Sequence, residues 1–283
     1  METKGAGGVR VSCLGPEGGT WSEFAVRSMF SRAEIAFCRG GFREAIELAE
    51  AGSTEYCVLP VENSIEGPVT PVLDALTSTG LRIVAEKIVS VRQALLAVGT
   101  DIRRVVSHPQ ALAQCEGRIR AMFPNAEIIS VSSTSAGAIE AANREDTAVV
   151  GPPWLAQKYG LRVIAQDMSD YRFNLTRFIC LGRGRPPRTG RDKTSLTLVL
   201  RDDGPGGSLH RLLTPFAERL INLSMVVSRP EKEKPWRYRF FFDLHGHEDD
   251  SAVRSALSDI SSMVTEMKVI GSYPREDWPQ TDA

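Results

Sequence analysis

The side chains best suited to anion binding or proton transfer are crowded into one short stretch of the chain. This stretch contains Asn174, Thr176 and Arg177 and precedes an apolar run, residues 178–181, whose composition indicates a buried strand. Arginine can bind a carboxylate through two parallel hydrogen bonds, and threonine can donate one more. The stretch therefore predicts an anionic ligand held against a dry wall. The simpler interpretation is a polar loop that satisfies local backbone groups.

A second polar cluster, Glu62-Asn63-Ser64, comes directly after an apolar run that predicts a strand over residues 56–60. It differs from an ordinary loop in that a carboxylate, an amide and a hydroxyl all follow a buried segment. We therefore take it as a second candidate part of the site. A turn held together by the Asn63 side chain is the structural alternative.

Hydroxyl side chains also stand at three predicted strand-to-helix junctions. In open α/β sheets such junctions line the cleft, and helix N-termini attract anions. Several of them around one cleft would suit a small substrate with more than one carboxylate. Each could equally be a plain helix N-cap. The residues are Thr20, Ser22, Ser107, Ser133 and Thr134.

The elements that must position these groups alternate between short strands and helices up to residue 182. This alternation predicts an α/β fold with mostly parallel sheets. We predict one helix running from Pro109 through Ile119 to residue 123, and a strand at Phe178 that returns to the first part of the fold. The result would be two lobes with a cleft between them.

Residues 183–193 are basic, rich in Gly and Pro and free of apolar periodicity, which indicates a linker, with a nucleic-acid-binding tail as the alternative. Beyond it the elements follow a βαββαβ order, the ferredoxin-like arrangement. We therefore predict a first domain over residues 1–183, a linker over 184–193 and a second domain over 194–275.

Composition excludes several classes of function. The chain of 283 residues has a net charge of −1, which offers no electrostatic case for nucleic acid or an anionic membrane. There is no apolar stretch of membrane-spanning length and no signal-peptide pattern. The five cysteines form no CxxC pair, and most sit in apolar runs, so we expect reduced, buried thiols in a cytoplasmic protein. The four histidines show no metal-ligand spacing, and no nucleotide-binding motif occurs, so we expect neither metal nor cofactor.

Taken in order, several short motifs of this chain are similar to those of the prephenate dehydratases, in particular the bacterial monofunctional type with a C-terminal ACT domain. The similarity covers nearly the whole chain. It implies a two-lobed fold like that of type-2 periplasmic binding proteins, followed by an ACT regulatory domain. It also implies the cofactor-free conversion of prephenate to phenylpyruvate, water and carbon dioxide. The motifs are Gly15-Pro16-Glu17-Gly18, Pro60-Val61-Glu62-Asn63-Ser64, Ser107-His108-Pro109-Gln110-Ala111-Leu112 with Gln114-Cys115, Ser133-Thr134 and Thr176-Arg177-Phe178.

The resemblance also assigns roles to residues. It implies that Thr176 is the central catalytic residue and donates to the leaving hydroxyl, with the further catalytic candidates Glu62, Asn63, Ser107 and Gln114. The implied substrate-binding residues are Arg177, Phe178, Ser64, Thr20, Ser133, Thr134 and Asn174. Phenylalanine is the expected effector, at a site formed by paired ACT domains in a homodimer or homotetramer. Its implied contacts are Gly207, Ser208, Leu209, Asn222, Leu223, Ser228 and Arg229.

Two positions depart from the family pattern. Gly19 is inserted before Thr20, and Val227 stands where the family has a glutamate before Ser228. The second departure implies weaker inhibition by phenylalanine than is usual in the family. Two other functions are alternatives: a prephenate decarboxylase that leaves the ring non-aromatic, and an amino-acid sensor without catalysis. The presence of both the Thr-Arg-Phe and the Glu-Asn-Ser elements favours the dehydratase over either.

Overall fold

The structure is a computed structural model that describes residues 8–201, 206–231 and 234–277. Three β-sheets, each covered by helices, make up these residues. The first two sheets form the lobes of one α/β domain, and the third forms a C-terminal domain of βαββαβ order. The predicted fold class is confirmed. No helix of these residues is long and apolar enough to cross a lipid bilayer.

Lobe 1 is a sheet in the order β2-β1-β3-β11-β5, with the short β4 paired to β3. The strand β11 follows lobe 2 in the chain and inserts between β3 and β5, antiparallel to both. The elements are β1 (Val9–Leu14), α1 (Trp21–Met29), β2 (Ala33–Cys38), α2 (Phe42–Glu50), β3 (Tyr56–Asn63), β4 (Gly67–Pro68), α3 (Thr70–Ser78), β5 (Arg82–Ser90) and β11 (Leu175–Gly182).

Lobe 2 is a five-stranded sheet in the order β10-β6-β9-β7-β8. The chain crosses between the lobes twice, once after β5 and once before β11, so the two crossings lie beside each other. The elements are β6 (Ala94–Ala97), β7 (Arg104–Ser107), α4 (Pro109–Ala113), α5 (Glu116–Met122), β8 (Glu127–Ser130), α6 (Thr134–Ala142), β9 (Thr147–Gly151), α7 (Leu155–Tyr159) and β10 (Arg162–Ala165).

Three local predictions were wrong. The stretch with Thr176 and Arg177 is not a loop before the strand, because β11 begins at Leu175. The helix predicted to run from Pro109 to residue 123 is two helices, since the chain leaves helical geometry at Cys115 (φ −128°, ψ 3°). The exposed strand β10 was missed altogether.

The C-terminal domain has the sheet order β13-β14-β12-β15, with both helices packed on one face. Its first strand starts at Asp192, two residues before the predicted start of the second domain. The elements are β12 (Asp192–Leu200), α8 (Ser208–Glu218), β13 (Leu223–Pro230), β14 (Tyr238–His245), α9 (Ser251–Ile260) and β15 (Val264–Pro274).

The other face of this C-terminal sheet packs against lobe 1. Phe241 and Tyr273, both essentially buried, share one apolar cluster with Leu73 and Leu76 of α3. The backbones approach so closely that a Cβ atom on Gly271 would lie 2.2 Å from the carbonyl oxygen of Ile83. The two domains therefore share a continuous core, and changes in one can be felt in the other.

Candidate active site

Strand β11 carries the two residues at the centre of the predicted site, but it presents them to opposite sides. Successive side chains of a strand point to opposite faces of the sheet. Thr176 lies across from Asn63, and Arg177 lies across from Glu62. The four residues therefore form two cross-strand pairs. Their contacts show that the Thr176–Asn63 pair faces lobe 2, while the Arg177–Glu62 pair faces the C-terminal domain.

The Asn63 side chain holds Thr176 in a defined state. Its amide nitrogen donates to Thr176 Oγ1 at 2.9 Å and to Asn174 Oδ1 at 2.9 Å. Its amide oxygen accepts the backbone N–H groups of Ile65 (2.9 Å) and Glu66 (3.1 Å), which fixes the orientation of the amide. Because Thr176 accepts from Asn63, and no described acceptor takes its own proton, the hydroxyl of Thr176 is free to donate.

A chain of hydrogen bonds extends from this pair across to lobe 2. Asn174 Nδ2 donates to Gln114 Oε1 at 2.9 Å, and Gln114 Nε2 donates to Glu66 Oε1 at 3.2 Å. The other carboxylate oxygen of Glu66 accepts from Gln110 at 2.7 Å. Glu66 thus accepts hydrogen bonds from Gln110 in α4 and from Gln114 at the C-terminal end of that helix, and it joins the lobes.

Glu66 and Gln110 were not singled out by sequence reasoning. Glu66 sits in the same turn as Asn63, four residues before α3, where its long side chain can leave the sheet and reach the other lobe. One feature of the sequence could have identified Glu66. It is a charged residue in the turn that follows Glu62-Asn63-Ser64, and no residue of opposite charge stands next to it. Its partners on α4 are neutral amides, and a sequence gives no direct sign of such a pairing.

The remaining hydroxyl candidates fall into two groups. Thr20 and Ser133 are N-caps, since they accept the backbone N–H of Glu23 (3.1 Å) and of Ala136 (3.0 Å). Ser107 is fully buried at the end of β7 and donates to the carbonyl oxygen of Val150 at 2.6 Å, with Thr134 Oγ1 3.3 Å away. Thr20 and Ser133 therefore cap helices, whereas Ser107, with Thr134 beside it, lies at the carboxyl end of the lobe 2 strands.

The inserted Gly19 lies where the lobes meet. A Cβ atom at this position would come within 2.5 Å of Ser135 Oγ on α6, so a larger residue would require the Ser135 side chain to move. Thr20 keeps its capping position despite the insertion. Nearby, the Trp21 and Trp154 rings pack edge to face at 4.6 Å, and Phe24 stacks on Trp154 at 5.3 Å. Aromatic contacts therefore also connect the two lobes.

Arg177, Phe178 and Glu62 are not where the predicted roles need them. The Arg177 guanidinium is buried among the carboxylates of Glu62, Glu86 and Asp243, which does not fit the substrate-binding role expected of it. Glu62 lies on the same side as Arg177 and away from Thr176. Phe178 packs inside lobe 1 and is 2% exposed. Ser64 holds the strand instead, since its hydroxyl accepts the backbone N–H of Leu175 at 2.9 Å.

The predicted effector residues are not brought together within one chain. Gly207 precedes α8 with a positive φ of 93°, Ser208 is the first residue of the helix, and Leu209 is partly exposed. Asn222 and Leu223 lie beyond the other end of α8, about 16 Å away for 11 residues at 1.5 Å each. Ser228 is exposed, and Arg229 forms an ion pair with Asp74 of α3 at 3.1 Å. Val227 packs against the apolar cluster shared by the two domains.

The described cysteines and potential metal ligands are arranged as follows. All five cysteines are buried and reduced. Burial raises the pKa of Cys57 and of Cys115 to about 12, so neither is a thiolate nucleophile near neutral pH. Within residues 8–201, 206–231 and 234–277, no group of His, Cys, Asp and Glu side chains is arranged to hold a metal ion.

The structure defines a two-lobed α/β protein in which Thr176 and Asn63 are hydrogen-bonded on one side of the lobe 1 sheet and a ferredoxin-like domain packs against the other. A family model described as prephenate dehydratase matches residues 11–186, and one described as ACT domain matches residues 198–262. The chain belongs to the prephenate dehydratase family, and its C-terminal domain is an ACT domain.

Two individual relatives carry the same description, and a third is described with a different activity. A prephenate dehydratase of Mycobacteroides abscessus is 34% identical over 288 residues, 97% of this chain and 92% of the relative. The crystal structure of an Arthrobacter aurescens prephenate dehydratase in complex with L-Phe is 34% identical and superposes with a TM-score of 0.83 over 94% of this chain and 90% of that one. GqqA, described as a novel type of quorum quenching acylase, superposes with the same TM-score at 25% identity over 94% of this chain and 98% of that one.

Proposed function

We propose that this enzyme converts prephenate to phenylpyruvate, water and carbon dioxide, with Thr176 as the residue that donates to the departing ring hydroxyl. The observation that carries this assignment is the Asn63–Thr176 hydrogen bond, which leaves the Thr176 proton free at the cleft. Because the products include an aromatic ring, much of the driving force lies in the substrate. The enzyme then has to orient a dianion and stabilise a departing hydroxyl.

The arrangement of groups supports this mechanism. Asn63 is locked by backbone N–H groups, so the Thr176 hydroxyl is preorganised and need not reorient during the reaction. The Glu66 bridge to α4 joins the lobes and supports a closed arrangement around the substrate. The unperturbed acidity of threonine is weak, so Thr176 acts as a hydrogen-bond donor or relay and not as a strong acid.

The substrate carboxylates need a partner other than Arg177 in this proposal, because the Arg177 guanidinium lies among three carboxylates. We propose that they face the N-termini of α1 and α6, where unpaired backbone N–H groups and the helix dipole favour negative charge. Thr20 and Ser133 cap these helices, and Ser135 of α6 meets Gly19 across the cleft. The Lys158 ammonium, which donates to the carbonyl oxygen of Glu17 at 3.0 Å, adds a cation at the same boundary.

An assay with prephenate tests the proposed reaction directly. Phenylpyruvate absorbs in alkali, so its appearance separates a dehydratase from a non-aromatising decarboxylase and from a sensor without activity. The likeness to GqqA shows that this fold is described with more than one activity, since a fold alone does not determine function. The parent protein should form phenylpyruvate with saturation kinetics. Absence of phenylpyruvate under conditions where the protein is folded would refute the proposal.

We propose further that phenylalanine binds between two copies of the chain. The two halves of the expected effector site lie about 16 Å apart in one ACT domain, at opposite ends of α8. A two-fold pairing could place Gly207–Leu209 of one copy against Asn222–Leu223 of the other. Light scattering with and without phenylalanine should show at least a dimer, and calorimetry should show binding. A monomer that binds phenylalanine would contradict the shared site.

Two further proposals concern inhibition and compartment. Because Val227 fits an apolar contact where the family has a glutamate, we expect weak inhibition by phenylalanine, measured as the half-inhibitory concentration in the prephenate assay.

The five reduced cysteines support a cytoplasmic location, where thiols stay reduced. Fractionation of the source cells with an antibody against the protein would test this.

A further inference from the structure

The Arg177 guanidinium joins the two domains at the strand that carries Thr176. Its Nε atom lies 3.2 Å from Glu62 Oε2, and its Nη1 atom lies 3.2 Å from Glu86 Oε2. Both carboxylates belong to the catalytic domain. The third nitrogen, Nη2, reaches into the ACT domain, where it pairs with Asp243 Oδ2 at 2.5 Å and lies 3.5 Å from Met225 Sδ.

Asp243 is itself held firmly within the ACT domain. Its other carboxylate oxygen accepts the Ser195 hydroxyl, and Ser195 Oγ lies 2.7 Å from the Tyr273 hydroxyl. Asp243 is 1% exposed and Tyr273 is fully buried. Burial first, then the nearby Asp243 carboxylate, raises the pKa of Tyr273 well above its usual range, so its phenol stays protonated. The position of Asp243 is therefore set by the ACT sheet.

The contact lies one residue away from the catalytic pair. Arg177 and Glu62 are the cross-strand neighbours of Thr176 and Asn63. Directly after Arg177, the register between β11 and β3 shifts, so the strand is irregular at this point. A displacement of Arg177 along or across the sheet must therefore move the backbone of Thr176 and its hydrogen bond to Asn63.

The surroundings leave the cluster room to move. A cavity of about 370 Å³ lies between the domains and is bordered by Glu62, Arg177 and Asp243. The Glu62 side chain is 38% exposed, whereas those of Glu86 and Asp243 are buried. Of the three carboxylates around Arg177, Asp243 is the one contributed by the ACT domain.

We propose that Asp243 is a positioning residue for catalysis: by holding Arg177, the ACT domain sets the place of Thr176 in the cleft. This inference rests on the proposed function, because it takes Thr176 as the catalytic donor. It identifies the Arg177–Asp243 ion pair as a direct contact through which movement of the ACT sheet reaches the active site; Lys193 of β12 reaches the same cluster through Glu86, at 2.8 Å from Glu86 Oε2. The pair lies on the face of β11 away from the substrate, so it acts through Thr176 and not on prephenate.

The test is a double-mutant cycle in the full-length protein with prephenate as the substrate. Asp243→Asn keeps the shape and the Ser195 contact but removes the charge. We expect kcat to fall about tenfold or more while KM stays within threefold. In a Thr176→Val background, the same change should lower kcat by less than twofold, because the donor that it positions is already absent.

Glu248→Gln is the matched control. Glu248 forms an ion pair with Arg82, which also joins the ACT domain to lobe 1 but lies at the far end of β11, opposite Gly182. It should leave kcat and KM within twofold of the parent. Hydrogen exchange of residues 175–182 should rise in Asp243→Asn and stay unchanged in Glu248→Gln.

Each failure has a separate meaning. If the parent forms no phenylpyruvate, the proposed function is wrong; if the parent is active and Asp243→Asn behaves like Glu248→Gln, only this inference is wrong. An equal loss of kcat in both Thr176 backgrounds would also overturn it, since a purely structural effect does not depend on Thr176. Should Asp243→Asn not fold, Ser195→Ala, which loosens Asp243 without removing a charge, should lower kcat at least threefold, and an unchanged kcat would overturn the inference.

Discussion

Replacing Thr176 with valine removes the hydroxyl and keeps the shape of the side chain, so it isolates the proton donor. If the hydroxyl donates to the departing group, its loss should lower kcat by about 10²-fold, equivalent to about 2.7 kcal/mol of transition-state stabilisation. KM should change little, because the substrate carboxylates bind elsewhere. The measurement is the initial rate of phenylpyruvate formation at several prephenate concentrations.

The same variant has a calculable effect on stability. The Asn63 amide nitrogen loses the Thr176 hydroxyl as an acceptor. It can donate instead to the carbonyl oxygen of Leu175, which lies 3.3 Å away. The loss should therefore be near the lower end of the cost of an unmade buried hydrogen bond, about 1 kcal/mol. A folded, only slightly less stable protein is expected, which denaturant unfolding can check.

Thr176→Ser is the control, because it retains the hydroxyl and removes one methyl group. It should keep kcat within about tenfold of the parent. The reasoning is refuted if Thr176→Val turns over prephenate at close to the parental rate, or if its loss appears in KM alone. Either outcome would show that the free proton of Thr176 is not what the reaction uses.

Three further perturbations follow from the contacts around the site. Glu66→Gln weakens the bridge to Gln110 and Gln114. Because hydrogen bonds to a charged group contribute about 1.5–3 kcal/mol, KM for prephenate should rise about tenfold or more. An unchanged KM would show that the bridge does not hold the closed form. Arg177→Lys keeps the charge, but a lysine ammonium cannot contact all three carboxylates as the planar guanidinium does. The value of kcat and the midpoint of thermal unfolding should therefore fall while KM stays constant. A rise in KM alone would show that Arg177 binds substrate. Burial, with Arg275 and Lys193 nearby, lowers the pKa of His245 from its usual 6.5. The unfolded chain therefore binds more protons than the folded one, and the free energy of unfolding should fall as pH drops below about 6.5. In urea unfolding, His245→Gln should flatten this part of the plot of stability against pH, and parallel plots for the variant and the parent would contradict the reasoning.

Local chemistry was readable from the sequence alone. The alternation of apolar runs with capping residues and glycines defined two lobes and a βαββαβ domain, because burial of one face dictates a period of two in strands and 3.6 in helices. The motifs named Asn63 and Thr176, and the structure joins these two residues by a hydrogen bond. Asn174 and Gln114, 60 residues apart, were also named, and the structure joins them by a hydrogen bond.

What the sequence could not decide was which side of the sheet each polar residue occupies. Reading Thr176 and Arg177 as a loop made them neighbours in one site, whereas β11 starts at Leu175 and separates them. The same applies to Glu62 and Asn63, because β3 extends to Asn63 and not only to Pro60. A strand that starts three residues earlier than predicted changes every assignment of face within those residues.

Partners from distant parts of the chain were decided only by the tertiary structure. The chemistry of Arg177 suits it to bind a substrate carboxylate, but its position makes it a partner in an interdomain ion pair. Which of these it does depends on Asp243, 66 residues away in a different domain. Glu66 bridges the lobes only because α4 ends opposite its turn. The Arg177 guanidinium lies among the carboxylates of Glu62, Glu86 and Asp243, on the side of β11 away from Thr176. The sequence determined which groups were present, and the packing of two domains and two lobes determined which of them face the cleft.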